Sequence, residues 1–334
     1  MSQEQGRRSG QPGTPESGEP RPDQQGLMEW GQVYLVTGGC GFLGSHLVRM
    51  LVERSPNVAE VRVFDLQLDP ALGQLGTDKV KVTLILGDIS SPTDVGAAVK
   101  GADVVIHAAS LVDVWGRVPP EKITEVNVHG TKNVIDACIE HGTQYLIYTS
   151  SMEVVGPNIK GDPFYRYLGP WLPLRGLIGL MTIALKSTSP LSGGNVAWMH
   201  VLVARQMQEA PAVIGGQVYF CYDASPYKSY EDFNMEILAS CGFRLLGSQP
   251  VVPHWLLRCL ALANDLLRRL LRPFFSYAPL LNPYTLAVAS TTFTVQTDKA
   301  QRHFGYQPLY SWEESRARTV AWLQEVDAQR EAGK

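Results

Sequence analysis

The sequence of 334 residues has few cysteines and none of the spacings that mark a disulfide framework or a zinc site. Its five cysteines are odd in number, widely separated and include no C-x-x-C pair: Cys40, Cys138, Cys221, Cys241 and Cys259. Such usage is typical of a reducing compartment. We therefore expect free thiols that serve mainly as small buried apolar side chains.

The sequence also lacks an excess of charge of one sign. A formal net charge of -3 gives no basic field, which argues against nucleic acid as a partner. No apolar segment of the kind that forms a secretory signal follows the arginines near the N-terminus. Residues 1–30 are rich in Gly, Pro, Gln, Ser and charge, so we predict a disordered tail.

A glycine-rich turn stands out near residue 40. In VYLVTGGCGFLGSHLV, a short apolar strand leads into a helix, and three glycines are spaced G-x-x-G-x-x-G. In dinucleotide-binding folds such glycines allow a tight turn, a close approach to pyrophosphate and close helix–strand packing. The helix N-terminus then offers amide donors to the phosphates. We predict cofactor contacts from this turn, made by Gly38, Cys40, Gly41, Phe42, Leu43 and Gly44.

A second strand, VRVFD, ends at Asp65, 21 residues after Gly44. A carboxylate at this place accepts hydrogen bonds from a ribose diol and repels a 2′-phosphate, which favours NAD over NADP. The alternative is an ordinary turn carboxylate at a strand end. Later apolar strands end at Asp88, His107 and Ser151, with helical segments between them. This alternation predicts an α/β fold with a Rossmann-like, doubly wound parallel sheet over residues 31–166, and a smaller C-terminal region.

The segments TGGCGFLG, GDIS, HAAS, VNVHGTKNV and YTSS together resemble the extended short-chain dehydrogenase/reductase superfamily. LVDVWG, SSMEVVGPN, GNVAWMHVLVAR and TTFTVQTDKAQRHFGYQPLYSWEESRART resemble its 3β-hydroxysteroid dehydrogenase/isomerase family. The resemblance implies NAD-dependent oxidation of the 3β-hydroxyl of Δ5 sterols to 3-keto-Δ4 products. The likeness is greatest to the branch that acts on 7α-hydroxylated sterols of bile-acid synthesis. A sugar-nucleotide epimerase or reductase with the same nucleotide domain is a weaker alternative.

The resemblance also assigns roles by motif position. Asp88 would face the adenine, Asn127 would lie in the helix that supports the active site, and Ser151 would hydrogen-bond the substrate oxygen. His107 would contact the cofactor, although a residue packed at a strand end is an equal alternative. For Ser151 the alternative is a strand-end hydroxyl bonded to nearby backbone.

The Tyr-x-x-x-Lys pair of this superfamily is missing. Its lysine lowers the pKa of the tyrosine, which takes the hydroxyl proton of the substrate. No tyrosine in the chain has lysine four residues later; Tyr165, for example, is followed by Gly169. Residues 167–193 replace the expected catalytic helix with an atypical segment between two family-like blocks. Its abrupt edges indicate an alternative transcript or a wrongly joined gene sequence. We predict that the chain is inactive or nearly so; the alternative function is to bind NAD or a partner only.

Residues 194–330 form the predicted substrate-binding and membrane-associating region. Within it, residues 251–275 predict an amphipathic helix whose basic residues oppose a leucine face. Such a helix lies in a membrane interface, and the alternative is a surface helix packed on the core. The resemblance implies the endoplasmic reticulum membrane, at its cytosolic face or peripherally bound. The expected partners are a sterol and this membrane surface, and a homo-oligomer is left open.

Overall fold

A computed structural model describes residues 31–113, 117–151, 190–223, 225, 230–244, 252–275, 277–290 and 298–332. The predicted tail, residues 1–30, lies outside the described residues. So does the greater part of the predicted atypical segment, together with residues 152–166 before it.

Five parallel strands form one sheet in the order β3-β2-β1-β4-β5. Tyr34 in β1 stands opposite Val61 in β2 on one side and Val104 in β4 on the other. Strands buried on both faces are apolar and need helical crossovers to remain parallel. The doubly wound, Rossmann-like fold predicted from the sequence is therefore confirmed. The strands are β1 Gln32–Thr37, β2 Val58–Asp65, β3 Lys81–Leu86, β4 Val104–His107 and β5 Tyr145–Tyr148.

Helices cover both faces of this sheet. On one face, α3 and α5 enclose a core that includes Val95, Val99 and Val134. On the other face, α1 contributes Leu47 and Leu51 to a second core. In chain order these helices are α1 Phe42–Arg54, α2 Pro70–Gly73, α3 Pro92–Val99, α4 Pro120–Thr124 and α5 Thr131–His141, with a π-helical stretch Glu125–Gly130 between the last two.

The long helix α6, Pro190–Glu209, covers the same face of the sheet as α1. Ala197 and Ala204, both fully buried, belong to the core that α1 and the sheet share. A Cβ on Gly193 would stand 2.2 Å from Cδ2 of His46, so the two helices approach closely at this point. The boundary predicted at residues 193 and 194 lies inside α6, because the helix continues through it without a break.

Further helices follow α6 in the C-terminal region, with a 3₁₀ turn, Ala239–Cys241, after the second of them. Tyr306 is fully buried and its hydroxyl donates to the carbonyl of Tyr222 at 2.9 Å. This region therefore has a small core of its own beside α6. The helices are α7 Pro211–Ile214, α8 Tyr230–Leu238, α9 His254–Leu271, α10 Pro283–Ser290, α11 Asp298–Phe304 and α12 Trp312–Ala332.

Helix α9 turns its apolar face away from the protein. Ala261 is the buried residue of this helix, whereas the leucine side is exposed. Asp265 pairs with Arg268 and Arg269, at 2.8 Å each. The alternative of an apolar face packed on the core therefore does not describe α9. The large side chains exposed on and just after it are Trp255, Leu256, Leu260, Leu262, Leu266, Leu267, Leu270, Phe274 and Phe275.

Within the part of the chain that the structure describes, no helix has both the length and the apolar character to cross a bilayer.

The five cysteines are free thiols, as predicted. Their expected burial is only partly correct. Cys138 is buried in the sheet core, and Cys40, Cys221 and Cys241 are half-buried. Cys259 is exposed, because it lies on the outward side of α9.

Asn195 joins α6 to the C-terminal region. Its side chain is fully buried, accepts from the Tyr310 amide at 2.9 Å and donates to the Tyr310 carbonyl at 3.1 Å. Both backbone groups of Tyr310 are thus satisfied by one amide side chain. Removing that side chain leaves two polar backbone groups without partners, and each such loss costs about 1–3 kcal/mol.

We expect Asn195→Ala to lower the free energy of unfolding by about 2–4 kcal/mol, since two buried hydrogen bonds are lost together. Urea denaturation followed by circular dichroism measures this. The matched control is Gln301→Ala on the exposed side of α11, which we expect to change stability by less than about 0.5 kcal/mol. Equal effects of the two substitutions would contradict the proposed role of Asn195.

Candidate functional site

The glycine turn between β1 and α1 leaves no room for side chains. Gly38 has φ of +67°, and a Cβ there would lie 2.7 Å from Cα of Ala109. A Cβ on Gly44 would lie 2.0 Å from the carbonyl oxygen of Gly38. These distances are shorter than any tolerated contact, so glycine is required at both positions. The turn therefore brings bare backbone to the carboxyl edge of the sheet.

Helix α1 begins at Phe42 and presents its N-terminus at this edge. Gly41 precedes it without a side-chain cap, and no acidic residue lies in the first turn. The first amide groups of a helix have no intrahelical acceptor, and the helix dipole places partial positive charge there. The side chains of Phe42 and Leu43 are half-buried against the protein. A ligand at this edge would therefore meet the backbone amides of these two residues. An anion such as a pyrophosphate fits this arrangement.

Asp65 stands at the end of β2, beside the turn. Its Oδ2 accepts from the backbone amide of Cys40 at 2.9 Å. The thiol of Cys40 in turn accepts from the amide of Asp69 at 3.3 Å, and burial raises the pKa of this thiol. The turn and the carboxylate are thus fixed relative to each other. A carboxylate oriented in this way can accept hydrogen bonds from a ribose diol.

Asp88 follows β3 and lies at the same edge of the sheet, since β3 pairs in parallel with β2. Its Oδ1 accepts from the amide of Ser90 at 2.8 Å. Partial burial works to raise the pKa of Asp88, but the hydrogen bonds from Ser90 and the charge of Lys122 together lower it. Asp88 is therefore an ionised acceptor that closes the turn after β3.

His107, at the end of β4, is buried with 1% of its surface exposed. Its Nε2 lies 3.0 Å from the hydroxyl of Thr131, which itself donates to the carbonyl of Asn127 at 2.7 Å. Because the Thr131 hydroxyl already donates its proton to Asn127, it can only accept from His107, and His107 must carry a proton on Nε2. Its Nδ1 then accepts from the hydroxyl of Thr37 at 2.6 Å. Both ring nitrogens of His107 thus have partners within the protein, as expected for a residue packed at a strand end.

Asn127 lies in the π-helical stretch Glu125–Gly130. Its side chain accepts from the amide of Leu111 at 2.7 Å and donates to the Leu111 carbonyl at 2.9 Å. This pair of bonds holds the loop after β4. π-Helical turns are rare and are frequent at functional sites, where the extra residue alters the direction of neighbouring side chains. Asn127 therefore supports this edge of the sheet, and its place beside an active site stays a prediction.

Ser151 follows β5 and is exposed at the same edge as the other predicted residues. Two positions before it, the hydroxyl of Thr149 lies 3.0 Å from Nε2 of His200 in α6. Nδ1 of His200 lies 2.8 Å from the Val196 carbonyl, so it donates there and Nε2 accepts from Thr149. Burial lowers the pKa of His200. Helix α6 thereby anchors the segment that carries Ser151.

The predicted residues therefore share one edge but form two groups. The turn, Cys40 and Asp65 form the first group. Asn127, His107 and the strand end of β4 form the second, joined through Thr37 and Thr131. Sequence reasoning missed four residues of this edge: Thr37, Thr131, Thr149 and His200. Thr37 and Thr149 fall inside the motifs TGG and YTSS, but their partners are 51 to 70 residues away in the chain.

Burial lowers the pKa of His107 from 6.5 to about 4. The unfolded chain therefore takes up a proton near pH 6.5 and the folded chain only near pH 4. We expect the free energy of unfolding to fall as pH is lowered through this window, by up to about 3 kcal/mol from this group. Urea denaturation between pH 8 and pH 4 measures it.

His107→Gln is expected to reduce the slope of stability against pH across that window, whatever its effect at pH 8. Part of the slope remains, because burial also lowers the pKa of His46 to about 4. An unchanged slope in His107→Gln would show that His107 is not neutral in the folded protein.

The sequence pattern of the 3-beta hydroxysteroid dehydrogenase/isomerase family matches residues 35–167 and 180–251 of this chain. The interruption, residues 168–179, falls inside the segment predicted to depart from the family. The match resumes at residue 180, earlier than the boundary at residue 194 that the motifs indicated.

Among curated proteins, human 3 beta-hydroxysteroid dehydrogenase type 7 is 53% identical over 352 residues, which cover 87% of this chain and 95% of the relative. The same protein from Rattus norvegicus is 55% identical over 324 residues, with 88% and 96% covered. Since 87% of 334 residues is about 290, the human relative has residues in the alignment without a counterpart here. This agrees with the short interval between Ser151 and Asn195.

Solved structures share the fold at low identity. A double mutant of the dTDP-glucose 4,6-dehydratase DesIV from Streptomyces venezuelae, solved with NAD bound, is 20% identical with a TM-score of 0.55. The match covers 87% of this chain and 97% of that one. The family pattern and the relatives above 50% identity go further than the fold. This chain belongs to the 3-beta hydroxysteroid dehydrogenase/isomerase family of oxidoreductases.

Proposed function

We propose that this chain is a variant of a 3β-hydroxysteroid dehydrogenase that binds NAD but does not turn over sterol. The observation that carries the proposal is a contrast. The turn and carboxylate expected for the adenosine half of NAD are present and well formed, whereas no tyrosine in the sequence has lysine four residues later. The family reaction is oxidation of a 3β-hydroxyl with a Δ5 to Δ4 shift.

The residues at the edge of the sheet fit NAD. Gly38 and Gly44 leave bare backbone where pyrophosphate would approach, and a Cβ at either would clash with backbone. Asp65 would accept from the adenosine ribose, and its charge would disfavour a 2′-phosphate. Asp88 would lie by the adenine. NAD, when bound, supplies a hydride acceptor; the protein must supply a group that takes the hydroxyl proton.

That proton acceptor is what the chain lacks. Ser151 would hydrogen-bond the sterol oxygen, but a hydroxyl at the end of β5 is no general base at neutral pH. His107 and His200 cannot replace the tyrosine, because each ring is already bonded on both nitrogens. Loss of a general base costs about 10²–10⁴ in rate. Inactivity follows, because no tyrosine of the sequence has lysine four residues later.

The sterol class comes from the relatives. Two relatives, at 53% and 55% identity, are named 3 beta-hydroxysteroid dehydrogenase type 7. These names and the motifs of the bile-acid branch support a 7α-hydroxylated Δ5 sterol as the substrate of the active dehydrogenase of which this chain is a variant. An active enzyme with a new catalytic pair is the alternative function, and the same experiment separates the two.

We expect the purified chain to bind NAD and to form no NADH when a 7α-hydroxylated Δ5 sterol is added. Calorimetry measures the binding, and absorbance at the NADH band measures turnover. A family member that carries Tyr-x-x-x-Lys is the positive control, and we expect its rate to exceed that of this chain by at least about 10²-fold. Sterol-dependent NADH formation at a comparable rate would disprove inactivity, and absence of NAD binding would disprove cofactor retention.

We also propose that the chain associates peripherally with a membrane, that of the endoplasmic reticulum, through α9. Support comes from the outward apolar face of α9, where Leu262, Leu266 and Leu270 are each about 60% exposed. Arginines lie beside that face rather than within it, as in helices that rest at a lipid interface. This position would place the sheet edge near a water-insoluble sterol.

The double substitution Leu266→Glu with Leu270→Glu should reduce binding to phospholipid vesicles by at least about tenfold, since each leucine buried in lipid contributes about 1.5–3 kcal/mol. Co-sedimentation with vesicles of phosphatidylcholine and phosphatidylserine measures the partition. Ile139→Glu is the matched control, because Ile139 is 76% exposed on α5, away from α9. If Ile139→Glu also lost vesicle binding, or if the double variant kept it, α9 would not be the membrane anchor.

A further inference from the structure

We propose that the surface of α9 selects membranes rich in anionic phospholipid, and that a row of arginines beside its leucines makes this selection. The inference rests on the proposed membrane association of α9 and deepens it, because it names the class of lipid headgroup that the helix recognises. The occupant of this surface is a phospholipid whose headgroup carries net negative charge. A neutral phospholipid would hold the same leucines far less tightly.

The exposed apolar face of α9 has one margin that carries charge. Arg258 lies three residues after Trp255 and four before Leu262, so its side chain neighbours both on the helix surface. Arg269 lies three residues after Leu266 and repeats the position of Arg258 about three turns further along. All five residues are exposed. Positive charge therefore borders the apolar face near both ends of the helix.

This margin lies between the apolar face and the body of the protein. Ala261, which is 1% exposed, follows Arg258 by three residues and so lies on the other side of that arginine from Leu262. When the leucines enter the acyl region, the arginines are therefore held at the level of the phosphates. Their apolar stems can lie along the leucines while the charged ends reach the headgroups. A planar guanidinium binds phosphate oxygens in a bidentate manner.

The charge of α9 is opposite to that of the whole chain. Residues 254–272 contain four arginines and one aspartate, an excess of three positive charges, whereas the whole chain carries a net charge of -3. Attraction to an anionic surface is therefore local to this helix. Repulsion of the remaining chain would turn the protein so that α9 faces the lipid.

Asp265 limits the charge that α9 offers to a membrane. Its carboxylate, with 17% of the side chain exposed, pairs with Arg268 and Arg269. Arg258 and Arg272 lie seven residues to either side of it, about two turns of helix, and do not share this carboxylate. Each basic residue held near an anionic surface strengthens binding about fivefold, so these two arginines together contribute about 30-fold.

Co-sedimentation of the full chain with three kinds of vesicle tests the inference. One kind is phosphatidylcholine alone, and the others contain in addition about 30% phosphatidylserine or about 30% phosphatidylglycerol. We expect the two anionic kinds to bind the protein equally well, and at least about 30-fold more tightly than the neutral kind. Raising the salt concentration from about 0.1 M to about 0.5 M should remove most of this difference, because salt screens the attraction.

Two pairs of substitutions locate the selection. Arg258→Gln with Arg272→Gln should weaken binding to the anionic vesicles by at least about tenfold and leave binding to phosphatidylcholine unchanged. The matched control is Lys79→Gln with Lys100→Gln, which removes the same charge from exposed positions before β3 and β4, at the amino ends of the strands. We expect the control pair to change binding by less than about twofold. Equal effects of the two pairs would overturn the inference.

Asp265→Asn tests the inference through a gain of binding, which a poorly folded variant would not produce. Release of Arg268 and Arg269 from the carboxylate should strengthen binding to the anionic vesicles by at least about fivefold, without a gain on phosphatidylcholine. The absence of a gain on the anionic vesicles would contradict the role given to the arginines.

The outcomes separate the inference from the proposed membrane association. Equal binding to all three kinds of vesicle, lost in Leu266→Glu with Leu270→Glu, would keep α9 as the anchor and overturn selection by charge. Binding to phosphatidylserine vesicles alone would also overturn it, because the shape of one headgroup would then be recognised. If no vesicle binds and the chain forms a dimer that the two leucine substitutions dissociate, the face belongs to a second copy and both proposals fail.

Discussion

The contact between Gly44 and the carbonyl oxygen of Gly38 sets the direction of α1, and the rest of the described structure depends on α1. A methyl group at Gly44 would overlap that oxygen, so helix and strand meet at backbone distance. Helix α6 then packs on α1 through Ala197 and Ala204, which have small side chains. Because these approaches are close, no larger residue at these points would keep the helices in place.

Helix α6 makes hydrogen bonds to the sheet on one side and to the C-terminal region on the other. Toward the sheet, His200 holds Thr149 and with it the segment of Ser151. Toward the C-terminus, Asn195 holds both backbone groups of Tyr310, and its carbonyl lies 3.3 Å from the hydroxyl of Tyr306. One helix therefore connects the nucleotide-binding edge with the C-terminal region. The contacts that hold the glycine turn to Asp65 are made by the turn itself, β2 and the segment just after β2.

Much of the fold follows from local pattern. Apolar strands alternating with amphipathic helices predicted the parallel sheet, and the glycine spacing predicted the turn, because both depend on neighbours within a few residues. The π-helical stretch around Asn127 was not predicted, since no sequence period marks it. The threonine–histidine pairs were missed for a different reason: Thr37 and His107 are 70 residues apart, and a lone threonine gives no sign of its partner. For α9 the sequence left two orientations open, because an amphipathic pattern does not say which side faces the protein.

The proposed separation of binding from chemistry has a physical basis, because the two rely on different kinds of group. Nucleotide binding would use backbone amides and one fixed carboxylate, which the turn and β2 provide. Proton transfer needs a side chain whose pKa lies near the operating pH and whose acceptor atom is unoccupied. At the described edge, burial lowers the pKa of His107 to about 4 and its Nδ1 accepts from Thr37. Its neutral form thus stabilises the strand ends and is unavailable for taking a proton from a substrate. The hydrogen bonds that hold His107 in place also keep it from acting as a base, so the loss of one tyrosine–lysine pair would remove the reaction and leave the ligand site.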